Sequence, residues 1–171
     1  MEMKELKQPD YLKVNPNGKV PALVDGDFQL FESMAINLYL AKRFSKEGFW
    51  PSSPEDQARC YQWSFWGMTE IEKPLLTILI DMFMTAPDKR KPEAVAEAQK
   101  TLPKPFAVLN AALEGHEYLL GSAFTVADLN LASILSWSKP IKYDFKPYPN
   151  AGAWLDRCLA RPSYKAAKAT K

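Results

Sequence analysis

NPNGKVPALVDGDFQLFESMAINLYL, residues 15–40, reads as loop, strand, turn, strand and helix. Val20–Pro21–Ala22–Leu23–Val24 is a short apolar run, and Asp25–Gly26–Asp27 closes it with a turn signal. Phe28–Gln29–Leu30–Phe31 supplies a second short strand, so the unit is an antiparallel hairpin. Glu32–Ser33 follows directly, and Ile36, Tyr39, Leu40 and Phe44 then recur at helical spacing. Ser33 stands where an N-cap belongs, its hydroxyl available to the first free backbone N–H groups.

Two features of this stretch carry chemistry. Pro21 has no N–H for a ladder, so its place in a strand implies an edge, a bulge or a cis bond. A cis bond would turn the Val20 backbone N–H and C=O outward, toward an extended peptide-like ligand. Glu32–Ser33 opens a helix, whose free N–H groups and positive dipole end favour a carboxylate. A place that holds both a peptide backbone and a carboxylate suits a small acidic peptide.

NP-x-GKVPAL, an acidic turn and LFES-x-AI together resemble the glutathione-binding half of the cytosolic glutathione transferase family. That resemblance implies a cis proline at Pro21, with Val20 pairing to the cysteinyl backbone of glutathione. It also implies that Glu32 and Ser33 bind the γ-glutamyl carboxylate, and that Lys19 reaches toward the glycyl end. Several subclasses carry an arginine where this chain has Met34. The family places a strand, a helix and a strand ahead of the hairpin, and a unit of that kind needs roughly 30 residues. Met1–Val14 is too short to hold one, and the family's catalytic Tyr, Ser or Cys lies on that first strand. The expectation is therefore that no residue of this chain inherits the catalytic role.

Composition places the chain among ordinary globular proteins. Its 171 residues are 47% hydrophobic and 25% charged, enough for a sizeable core. A net charge of +2 gives no reason to expect a nucleic acid or an anionic membrane as partner. No apolar run approaches the roughly 20 residues of a membrane span, and MEMKELKQPD lacks the apolar core of a signal peptide. Cys60 and Cys158 make no disulfide framework and fit a reducing cytoplasm. With His116 the single histidine, no zinc site or Cys–His nucleophile pair is expected, and His116 itself is assigned a surface or capping role in a turn.

The remainder of the chain reads helical. Ser45–Ser53, with Gly48 and Pro51, separates the short strands from that region. The expected domains are 1–45, an incomplete thioredoxin-like unit; 46–53, a linker; and 54–171, all helical. Ser53–Pro54–Glu55–Asp56 is a helix start, leading a stripe of Tyr61, Phe65, Met68, Leu75, Leu79 and Met82, with a kink expected at Pro74. Tyr61, Trp63, Phe65 and Trp66 form an aromatic cluster, read as core and subunit packing with a substrate-facing role for one of them as the alternative. A further helix begins near Pro92–Glu93 and turns Val95 and Leu102 inward. Pro103 and Pro105 then bend or restart it before Phe106, Leu109 and Leu113. Thr125–Val126–Ala127–Asp128 is a capping box, flanked by a Phe124–Leu129 hydrophobic staple, and FTVADLNLA resembles the family's motif for nucleating its C-terminal domain. Asp128 is thus a folding residue, its replacement by alanine expected to cost roughly 0.5–2 kcal/mol. Asn150 is read as the cap of a helix through Trp154, Leu155 and Leu159. Arg161–Pro162–Ser163–Tyr164 starts the last helix, and a Lys/Ala-rich tail is expected to fray.

The fold class expected is mainly α: a partial thioredoxin-like hairpin and helix, then an all-α domain. The activity implied by the resemblance is detoxification chemistry, in which the glutathione thiolate attacks an electrophilic small molecule. The same resemblance implies glutathione as co-substrate, no metal, and a cytoplasmic homodimer. An alternative is a non-catalytic dimerisation or docking module of the same fold. A third is a hairpin whose open sheet edge pairs with another copy.

Overall fold

The structure, a computed structural model, describes residues 4–45 and 48–169. The chain divides into two compact units, Met1–Trp50 and Pro51–Lys171. Residues 46 and 47 of the expected linker, and 170 and 171 of the expected frayed tail, lie outside the described residues.

In the first unit a single 3-10 turn, Glu5–Lys7, leads into helix α1, Pro9–Val14. Strands β1, Ala22–Asp25, and β2, Phe28–Phe31, follow as an antiparallel hairpin, and helix α2 runs Ser33–Phe44. Asp25 pairs with Phe28, leaving the two-residue loop Gly26–Asp27, with Gly26 at φ 62°. That positive φ at the first loop position matches the twist of the strands and explains glycine there. Met34, Ile36 and Ala41 are the buried residues of α2. The expected stripe is only partly right, since Leu40 and Phe44 are exposed. Two strands are too narrow to cover the whole stripe. Tyr39 instead meets Phe28 at 5.0 Å and Phe44 at 6.3 Å between ring centroids.

The second unit is helical: α3, Pro54–Trp66; α4, Lys73–Phe83; α5, Pro92–Thr101; α6, Pro103–Ala112; α7, Val126–Leu135; α8, Pro149–Leu159; α9, Pro162–Ala169. Ser53 caps α3, accepting from the Asp56 N–H at 3.1 Å. Arg59, 2.7 Å from Asp56, holds that carboxyl below its usual range, with Ser53 adding to the effect. A π-helical stretch, Gly67–Glu72, joins α3 to α4 just ahead of Pro74, and the helical backbone runs on through the proline. The wider turn accommodates a residue with no N–H to donate. Pro103 starts α6, with Leu102, Phe106 and Leu109 fully buried.

The buried face of α3 and α4 differs from the expected stripe. Cys60, Trp63, Ser64, Gly67, Ile71, Leu75 and Ile78 are buried, whereas Tyr61, Phe65 and Met82 are exposed. Small residues mark that face because α7 comes close to it. A Cβ on Gly67 would sit 2.9 Å from Leu131 Cδ1, and the Asn130 amide donates to Ser64 Oγ at 2.8 Å. Helix α7, apolar around most of its circumference, is the core element of the unit. Asn150 does not cap α8. It lies inside the helix, and the side-chain oxygen of Asn110 on α6 accepts from the N–H groups of Asn150 at 2.9 Å and Ala151 at 3.3 Å. No helix among the described residues is long and apolar enough to cross a membrane.

Candidate functional site

The loop ahead of β1 is held from within. The buried Asn15 amide donates to the Lys19 carbonyl at 2.7 Å, and the Tyr11 hydroxyl donates to the same oxygen at 2.6 Å. Asn15 Oδ1 accepts from the Asn17 N–H at 3.0 Å. Gly18 takes φ 58°, and a Cβ there would lie 2.8 Å from the Leu6 carbonyl oxygen. Only glycine meets both demands. The Lys19 C=O and the Val20 N–H share one trans peptide plane and point to opposite sides of it. Two bonds that fix the oxygen therefore aim the Val20 N–H away from α1. Val20 is 62% exposed and precedes the ladder, and the Val20–Pro21 bond is cis. Lys19 and Pro21 are exposed beside it.

Across the hairpin, β2 ends at Phe31 and the chain turns into α2 through Glu32, at φ 74° and ψ 118°. A non-glycine residue there costs of order 1–3 kcal/mol and is held by its surroundings. The N-cap of α2 is Glu32, not Ser33. The abrupt turn at positive φ brings the helix in one residue early, and Ser33 becomes its first residue. No side chain caps this end, and the first turn carries no acid. Its leading N–H groups, at the positive end of the dipole, therefore have no side-chain cap, and the exposed Ser33 hydroxyl stands beside them.

Register brings the two halves together. Ala22 pairs with Phe31. Pro21 directly precedes the ladder on one strand, and Glu32 directly follows it on the other. Lys19, Val20, Pro21, Glu32 and Ser33 thus share the end of the hairpin away from the Gly26–Asp27 loop. Met34 is buried and offers no polar group to this end. The supporting residues Tyr11, Asn15 and Gly18 went unrecognised in the sequence as individuals. Their signal was the turn-forming run Asn15–Pro16–Asn17–Gly18.

Of the aromatic cluster in the second unit, Trp63 is buried and meets Trp66 edge-on at 5.2 Å. Tyr61 and Phe65 stack at 6.5 Å on an exposed face. His116 is exposed, in the turn that Gly115 makes at φ 72°. Among the described residues no group of three or more His, Cys, Asp or Glu is placed to hold a metal ion. Cys60 and Cys158 are buried free thiols, pushed up by that burial to about 11 and about 12. Both stay protonated at neutral pH, so neither is a nucleophile as it stands. A disulfide dye at pH 8 is expected to react with neither thiol in the folded protein and with both in urea. Fast reaction of one thiol under native conditions would contradict the burial.

Residues 1–42 match the family model described as glutathione S-transferase, N-terminal domain, and residues 71–162 match glutathione S-transferase, C-terminal domain. A solved glutathione S-transferase-I with bound lactoylglutathione is 31% identical, with a TM-score of 0.86 over 97% of this chain and 81% of its own. A theta-class glutathione S-transferase from Xanthomonas axonopodis pv. citri, with glutathione bound, is 30% identical, with a TM-score of 0.86 over 97% of this chain and 80% of its own. A delta-class glutathione transferase from Nilaparvata lugens is 29% identical, with a TM-score of 0.83 over 98% and 78%. Both halves of the chain are matched in order, on the same hairpin and the same buried α7. On that evidence the chain belongs to the glutathione S-transferase family.

Proposed function

We propose that the hairpin end formed by Lys19, Val20, Pro21, Glu32 and Ser33 binds glutathione and orients its thiol toward an electrophilic small molecule. The observation that supports this is the start of α2, which no side chain caps and which follows the hairpin whose other strand is preceded by the exposed Val20. The γ-glutamyl carboxylate accepts from the first N–H groups of α2 and from Ser33. The Val20 backbone pairs with the cysteinyl residue, and Lys19 meets the glycyl carboxylate. In the reaction the sulfur lone pair forms the S–C bond, the electrophile releases its leaving group, and the thiol proton goes to solvent. The residues named contribute binding and orientation, which convert a bimolecular encounter into a positioned one.

The protein works as a homodimer in the cytoplasm on this reading. The exposed Tyr61–Phe65 stack supports pairing, and the two free thiols support a reducing compartment. Calorimetric titration with glutathione, comparing the chain with Ser33→Ala, tests the site. Loss of a hydrogen bond to a charged group costs about 1.5–3 kcal/mol, so affinity should fall roughly tenfold or more. Equal affinity in the variant would remove Ser33 from the site. No binding by a folded chain would sink the ligand assignment and favour the non-catalytic dimerisation or docking module.

A further inference from the structure

Three side chains reach from the N-terminal segment to the loop ahead of β1. Lys7, Tyr11 and Asn15 recur at spacings of four, which puts them on one side of a helical path. The Lys7 ammonium donates to the Gly18 carbonyl at 3.4 Å. Tyr11 and Asn15 both donate to the next carbonyl, that of Lys19. Asn15 is buried and also holds its own turn, accepting from the Asn17 and Gly18 N–H groups at 3.0 and 2.9 Å.

Tyr11 is the unusual member. Its ring is half-buried, and its 2.6 Å bond to the Lys19 oxygen lies at the surface. Such a bond adds little to folding, because water competes for both partners. What it changes is the peptide that links Lys19 to Val20. A carbonyl oxygen has two lone pairs, and the two donors take both. Pinned from two directions, the peptide plane has little freedom to rock, so the Val20 N–H at its other edge is fixed in direction. Two accepted bonds also polarise the amide and make that N–H a stronger donor. Among the described residues the Val20 N–H makes no hydrogen bond of its own.

We propose that Tyr11 is a positioning residue for the ligand: its hydroxyl, acting through the Lys19 carbonyl, holds the Val20 N–H ready for a peptide carbonyl oxygen. The inference rests on the glutathione reading, in which that oxygen belongs to the cysteinyl residue. It requires an acceptor on the ligand at that point. A γ-glutamyl thiol without a carbonyl there gains nothing from Tyr11.

The test follows the amide resonances of the isotope-labelled full chain during titration with glutathione and with γ-glutamylcysteamine, which lacks the cysteinyl carbonyl and the glycyl residue. Glutathione should move the Val20 amide proton downfield, the signature of a new hydrogen bond at that N–H. Tyr11→Phe keeps the ring and removes the hydroxyl. It should weaken glutathione binding about fivefold, the size of one neutral hydrogen bond, and leave γ-glutamylcysteamine binding unchanged. Equal glutathione affinity in Tyr11→Phe, or an equal loss for both ligands, would overturn the proposal while glutathione binding itself stands. So would a Val20 amide that bound glutathione leaves unmoved, a result that needs no variant and decides should Tyr11→Phe fail to fold. No binding of glutathione to the folded chain would instead remove the reading on which the proposal rests, and the proposal with it.

Discussion

Asp128→Ala is expected to lower the stability of the helical unit by about 4 kcal/mol, well beyond the value for a helix cap alone. The carboxylate is fully buried and accepts four hydrogen bonds. Its donors are the Leu119 N–H at 2.9 Å, the Thr125 N–H at 2.9 Å, the Thr125 hydroxyl at 3.0 Å and the Trp154 indole N–H at 2.8 Å. Alanine keeps all four donors and removes their acceptor. The hydroxyl can rotate to another partner, but the other three are buried, and each costs about 1–3 kcal/mol unsatisfied. The effect therefore reaches the turn at Leu119 and the packing of α8 as well as the start of α7. Urea unfolding should show a lower midpoint, and the thermal midpoint should fall by about 10 °C for a chain of this size. Asp128→Asn should be intermediate, since it keeps one acceptor and turns an NH2 toward donors. A loss below about 1 kcal/mol for Asp128→Ala would mean that the donors find new partners, and would reduce Asp128 to an ordinary cap.

Phe106→Ala should cost about 4 kcal/mol, the usual range for deleting a buried ring. Phe106 is fully buried in α6 and faces Tyr143 at 4.7 Å, Phe145 at 5.1 Å and Tyr148 at 5.8 Å. These three come from the proline-broken segment between α7 and α8, and Phe106 is the ring they share. A second readout separates local loosening from global loss. Burial, with Tyr148 adding to it, pushes the Tyr143 hydroxyl up to about 12. With the unfolded value near 10, the folded state keeps a proton that the unfolded state releases between about pH 10 and 12. The stability tied to this tyrosine is therefore complete below pH 10 and is lost as pH rises toward 12. In Phe106→Ala the phenolate absorbance should develop at lower pH, closer to 10, as water reaches the ring. An unchanged titration of Tyr143 would show that its environment does not depend on Phe106.

Much of the architecture was legible in the linear chain because local chemistry and tertiary demand agree there. Gly26 in a two-residue loop, Ser53 before Pro54, and Thr125 with Asp128 each satisfy backbone groups within a few residues of themselves. Signals of that range survive in sequence. The buried face of α3 did not. Tyr61 and Phe65 are the more apolar-looking residues, yet Cys60, Ser64 and Gly67 face the core. There α7 demands closeness rather than hydrophobicity, and smallness is visible only once the partner helix is known. The cap of α8 was misread for a related reason. Asn150 has the right chemistry in the right place, but the acceptor comes from Asn110, forty positions earlier.

The candidate site divides the same way. By itself the sequence determined the motif residues Lys19, Val20, Pro21, Glu32 and Ser33, the hairpin that links them, and the family to which both motifs belong. Those properties rest on turns, proline and helix starts, all short-range. Only the tertiary structure decided how the Lys19 carbonyl is anchored, that Glu32 rather than Ser33 ends the strand at positive φ, and that Asp128 gathers donors from Leu119 and Trp154. Each of these depends on which groups meet across the fold, and a hydrogen bond has no energy until both partners are placed.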